Sequence, residues 1–131
     1  MNNEVKLDSR TMIVSETDAK GVILYANSDF CKISGYSKDE LIGKPHNMVR
    51  HQDMPKVAFA DLWKTVQENK TWNGIVKNTT KDGKFYWVNA TAYLVTKKNG
   101  EKRFISVRIK PTDNEIKNAE ILYKQLLQQE H

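Results

Sequence analysis

The 131-residue chain holds one cysteine, three prolines and six glycines. With Cys31 alone, an intramolecular disulfide and any cysteine-rich metal site are excluded, which fits a reducing compartment. Long apolar runs are absent, so nothing has the length of a membrane-spanning helix. The opening Met-Asn-Asn-Glu-Val-Lys has neither the apolar core nor the cleavage pattern of a signal peptide. Together these absences predict a cytoplasmic chain that does not insert into a membrane. A block of like charge is missing too. The net charge is +5, yet Lys and Arg are interleaved with Asp and Glu, whereas nucleic-acid binders concentrate their basic residues on one stripe. No nucleic-acid partner is expected. Nor is there a Ser-His-Asp pattern, a phosphate-binding glycine loop or a full set of metal ligands around His46 and His51, so the chain does not read as an enzyme.

What is present describes one globular domain. Hydrophobic residues make up 39% and charged residues 28%, and a chain of this length buries a core without staples. Residues 1–10 are polar apart from Val5 and Leu7 and read as a mobile arm or a short cap. From Thr11 the pattern is β-branched and alternating; Thr17 to Gly21 is turn chemistry and Val22 to Tyr25 a second apolar run, giving a hairpin. Asn27 or Ser28 is placed to cap a short helix ending near Gly35, and Ser37 with Glu40 forms a capping box for another. Phe59, Leu62, Trp63 and Val66 recur at helical spacing. The period then switches to two: strands at 71–78, 85–96 and 103–110 are separated by Asp82-Gly83 and Asn99-Gly100 turns, a meander. A second capping box, Thr112 with Glu115, opens a C-terminal helix carrying Ile116, Ala119, Tyr123 and Leu126 on one face.

The fold class is therefore α+β: a five-stranded antiparallel sheet with short helices on one face and a C-terminal helix. The expected division is an arm at 1–10, a sensor-sized domain at 11–112 and an output or dimerisation helix at 113–131. Alternation along the long strand puts Tyr86, Val88, Ala90, Ala92 and Leu94 on one face and Phe85, Trp87, Asn89, Thr91 and Tyr93 on the other. Two alanines in mid-strand leave either a hollow beneath the helices or a gap that Phe59 or Trp63 fills.

Gly43 to Pro55 is unlike the rest. It packs two histidines, an arginine, an asparagine and an aspartate between Pro45 and Pro55, which rules out an ordinary amphipathic helix. Met48, Val49 and Met54 can reach a core while Asn47, Arg50, His51 and Asp53 offer polar contacts. Such a mixture suits the wall of a pocket for a polar, partly aromatic ligand, or a solvated connector. Within it His46 reads as a local hydrogen-bonding group.

At Pro45-His46-Asn47-Met48-Val49-Arg50-His51-Gln52-Asp53-Met54-Pro55 the chain resembles the flavin-binding PAS domains of bacterial aerotaxis receptors. The likeness extends to Asn27 in Tyr-Ala-Asn-Ser-Asp-Phe, to Ala58-Phe59-Ala60-Asp61-Leu62-Trp63, to Trp72-Asn73-Gly74-Ile75-Val76-Lys77-Asn78 and to Tyr86-Trp87-Val88, and covers about residues 11–127. It implies noncovalent FAD, with Arg50, His51 and Asp53 shaping the cleft and Trp72, Asn78 and Asn27 contacting or supporting the ring. Asn47 joins this set through the same motif. It also implies a role in sensing redox state or energy status, with a methyl-accepting chemotaxis-type signalling protein, or an attached signalling domain, as partner and a homodimer as a further assembly. Two other uses of the fold stay open on the sequence: a haem-binding oxygen sensor using His46 or His51, and a ligand-free dimerisation module. A light-driven flavin adduct is disfavoured because the pocket stretch has no cysteine.

Overall fold

A computed structural model describes residues 3–130. Residues 1 and 2 of the expected arm and residue 131 of the expected C-terminal helix lie outside the described residues. The hairpin pairs β1 (Ile13–Thr17) with β2 (Ile23–Ala26). Its turn relies on Asp18, whose carboxylate accepts from the backbone of Lys20 and Val22, and on Gly21 at φ 84°.

Two short helices follow. Asn27 caps α1 (Ser28–Ser34) and Ser37 with Glu40 forms the expected capping box of α2 (Lys38–Leu41). A single 3-10 turn, His46–Val49, precedes α3 (Lys56–Gln67). The meander is β3 (Trp72–Thr79), β4 (Phe85–Thr96) and β5 (Lys102–Ile109), and α4 (Asp113–Glu130) ends the chain. The strands form one antiparallel sheet in the order β2-β1-β5-β4-β3.

The segment from Gly43 to His51 crosses from one edge of this sheet to the other. At its start it hydrogen-bonds along β2 and the preceding turn, through Gly43 N to Ile23 O, Ile23 N to Lys44 O and His46 N to Gly21 O. At its end it pairs with β3, through an Arg50–Asn78 bridge and His51 N to Lys77 O. A flat five-stranded sheet would hold its outer strands about 19 Å apart, at ~4.8 Å per step. Pro45 and Arg50 are only five residues apart, a reach of at most about 17 Å, and less where the chain takes a 3-10 turn. The sheet therefore has to curl, and the strap closes its concave side.

Residues 3–7 lie against the sheet. Val5 N donates to Phe85 O, Phe85 N donates to Asn3 O, and Leu7 is buried. The arm extends the sheet beside the start of β4, because Leu7 gives an otherwise polar segment one apolar anchor. On the opposite, convex face α4 packs Ile116, Ala119, Tyr123 and Leu126 against the sheet. The Tyr123 hydroxyl donates to Ile75 O on β3, and Glu130 accepts from Val57 N at the start of α3.

Candidate functional site

The concave face holds a hollow. Its volume is about 300 Å3, at the lower end of the ~300–1,000 Å3 common for ligand pockets. Ala90 and Ala92 form part of its floor, as the strand alternation predicts, flanked by Val76 and Asn78 of β3 and by Phe104, Ser106 and Arg108 of β5. Phe59, Leu62, Trp63 and Val66 of α3 form one wall without filling the space. Trp63 is held by an edge-on contact with Phe104 and by Gly21, where a Cβ would come within 3.3 Å of the indole. The strap supplies the remaining wall with His46, Asn47, Val49 and Arg50.

Three of the seven residues proposed from the sequence line this hollow. Asn47 and Arg50 do so from the strap, and the Arg50 guanidinium lies 4.8 Å from the centre of the Phe59 ring. Asn78 does so from β3; it is buried, with its amide nitrogen directed to the carbonyls of Val49 and Lys77 at 3.2 Å.

The other four sit elsewhere. Trp72 is buried on the same face of β3, its ring laid against Gly74 and its indole N–H donated to Asp61 at 2.9 Å, but it stops short of the hollow. Asn27 is consumed by local structure: its oxygen accepts from Phe30 N and Val14 N and its nitrogen donates to Met12 O. His51 and Asp53 lie past the point where the strap turns over β3, away from the hollow. Asp53 pairs with Lys77 at 2.9 Å rather than with Arg50, and Lys77 lies over the Phe85 and Trp87 rings of the convex face. The bond from Lys77 holds the Asp53 carboxyl below its usual range. Burial, and then Lys77, hold His51 below its own, so the Asp53 N–H meets a neutral ring nitrogen at 2.9 Å.

A second polar group lines the hollow that the sequence did not single out. Arg108 is 2% exposed, donates to Ser15 Oγ at 2.6 Å and reaches His46 Nε2 at 3.2 Å, while its guanidinium sits 4.6 Å from the centre of the Phe30 ring. His46 also contacts Ser15 Oγ at 2.9 Å, so its bonds run to distant strands rather than locally. Burial and then the Arg108 charge push His46 down to about 3, which keeps it neutral and an acceptor. Burial brings Arg108 down to about 10, still a cation at neutral pH. Among the described residues, the buried side-chain atoms without a hydrogen-bond partner are Arg108 Nε and the Tyr86 hydroxyl. Burial raises the Tyr86 phenol, so it stays protonated. Of these two residues only Arg108 lines the hollow, so the unanswered cation there is the feature that favours a polar ligand.

The sequence profile described as "PAS fold" matches residues 23–109. The chain belongs to the PAS family. Its PAS domain is 47% identical over 116 residues to the aerotaxis receptor of Escherichia coli, covering 88% of this chain and 23% of that protein. It is 28% identical over 95 residues to the nitrogen fixation regulatory protein of Klebsiella oxytoca, covering 72% of this chain and 19% of that one. The chain thus spans less than a quarter of either relative. Among solved structures, the PAS domain of a protein from Colwellia psychrerythraea superposes with a TM-score of 0.70 at 22% identity, over 81% of this chain and 91% of that one. Among the described residues, no helix is long and apolar enough to cross a membrane and no group of three or more His, Cys, Asp or Glu could hold a metal ion.

Proposed function

We propose that this PAS domain is a cytoplasmic, non-enzymatic redox sensor that binds FAD in the hollow and passes the state of the flavin to a chemotaxis-type signalling module. The observation that carries the proposal is the hollow itself, floored by paired alanines and edged by the buried Arg108, whose Nε has no partner among the described residues. Similarity to the aerotaxis receptor supports the same reading. Bound there, FAD supplies a flat ring whose charge and hydrogen-bonding edge change when it takes up electrons. The chain's residues divide the work of holding it. Asn47 presents an amide that can donate and accept toward the ring, Asn78, its N–H groups committed to Val49 and Lys77, has only its oxygen to offer, and the partly exposed Arg50 is suited to the phosphates at the mouth. Trp72 ties β3 to α3 through Asp61, while Asn27, His51 and Asp53 hold the elements that carry the lining.

At about 300 Å3 the hollow suits an isoalloxazine ring better than a whole FAD, and Arg50 would hold the phosphates of the remainder. Cys31 lies on α1 and does not line the hollow, which leaves no thiol for a light-driven adduct. Haem fits less well: His51 is outside the hollow, and His46 offers its Nε2 to Ser15 and to a guanidinium. A partner can take the convex face with α4, either a signalling domain in the same polypeptide, a separate transducer or a second copy. The test is a visible spectrum of protein prepared in a flavin-replete host and supplied with FAD. Flavin bands that bleach with dithionite are expected; a colourless protein that takes up no FAD would overturn the proposal.

A further inference from the structure

We propose that Arg108, seated by Ser15 and His46, is the specificity-determining cation of the hollow: it takes the acceptor-rich edge of the bound ring and balances the negative charge of that edge when the ring is reduced. This rests on the redox-sensor reading above and assigns the charge response to a residue outside the strap motif.

The argument starts from an imbalance. A guanidinium has five N–H donors and a full charge, and it is costly to bury unless both are answered. Arg108 answers two donors, through Ser15 and His46, and lays its face on Phe30. Its Nε has no partner, and among the described residues no carboxylate lies within 4 Å of it. The Arg108 side chain is inward-facing, between Ile13 of β1 and the small Ala90 of β4, so it borders the hollow over the alanine floor. His46 stays neutral beside it, so this end of the hollow carries one positive charge rather than two. A cation held dry at the border of a cavity and lacking a counter-charge favours, through its field, a ligand that brings one.

The phosphates of a dinucleotide are poor candidates for that counter-charge, because they keep their hydration better at the partly exposed Arg50. The ring edge is the better match. Were bound FAD reduced by dithionite with uptake of fewer protons than electrons, the fixed Arg108 guanidinium would stabilise the added negative charge relative to the neutral oxidised ring. Arg108 thereby sets the potential at which the domain responds. A purely structural arginine would weaken oxidised and reduced binding alike.

The experiment compares the FAD-loaded wild type with Arg108→Gln, Arg108→Lys and Ser15→Ala in dithionite titrations against a reference dye. At the potential where the wild type is half reduced, the reduced-to-oxidised ratio in Arg108→Gln should fall at least tenfold, a shift of about 30 mV for two electrons. Ser15→Ala should shift the same way by less, and Arg108→Lys should stay within threefold of wild type. Unchanged midpoints in Arg108→Gln overturn the proposal. If Arg108→Gln does not fold, an unchanged midpoint in Ser15→Ala together with a tenfold loss in Arg108→Lys does so. A wild type without flavin overturns the redox reading instead. The cation site is then decided by the anionic aromatic probe 1-anilinonaphthalene-8-sulfonate: tenfold weaker binding to Arg108→Gln supports it and equal binding overturns it.

Discussion

Gly74 shows how one missing side chain arranges a neighbour. A Cβ placed there would lie 2.4 Å from the Trp72 ring, which uses the bare backbone as a shelf and sends its N–H to Asp61 on α3. Gly74→Ala should therefore cost about 1–3 kcal/mol through overpacking and rotate the indole off its bond, read as a lower urea midpoint and a shifted Trp emission. An unchanged midpoint would mean the indole moves aside freely. Arg108 was hidden from the sequence at this scale. In β5 the apolar phase is Ile105, Val107 and Ile109, so alternation alone turns Arg108 outward. Only the register, which sets Arg108 beside Ala90 and Ser106 beside Ala92, shows that the polar phase is the inward one. The alanines were legible because they break an apolar face; their consequence for the next strand was not.

Among the elements, the strap and α4 hold opposite faces of the sheet. Within the motif His46, Asn47 and Arg50 face the hollow, while His51 and Asp53 meet Lys77 on the convex side. The motif marked the segment that supplies one wall of the hollow, but composition could not say where the strap turns over β3, and so which of its residues fall outside. The capping boxes, both glycine turns of the meander and the face of α3 were readable because each depends on neighbours close in sequence. The docking of α4 depends on partners far away, Ile75 and Val57. Tyr123→Phe removes its bond to Ile75 O and should lower stability by about 1 kcal/mol, with faster amide exchange along β3. If exchange in β3 is unaffected, α4 is not clamped to that strand.

For the whole molecule, the neutral His46 sets an acid limit. Its ordinary value is 6.5 and in the folded protein it is about 3. Between those values the unfolded chain binds a proton that the native protein refuses, so stability falls as pH drops from 6.5 toward 3 and is untouched above. The slope from this group is at most about 1.4 kcal/mol per pH unit. His46→Gln keeps an acceptor for Arg108 and Ser15 but cannot titrate. Urea midpoints from pH 7 to 4 should therefore fall less steeply in that variant, while the losses tied to Asp53 and Glu40 at lower pH remain. Parallel curves would show that His46 is accessible to protons in the native state.

The strap has one more consequence, for how copies of this domain meet other chains. Along the rim of β3 the backbone of Ile75 and Lys77 is already taken, by Tyr123, Met54 and His51, and the rim of β2 is taken at Ile23. An extended peptide finds few vacant amides there on which to zip itself. Crowded together, such molecules can touch through side-chain surfaces without templating one another into fibres.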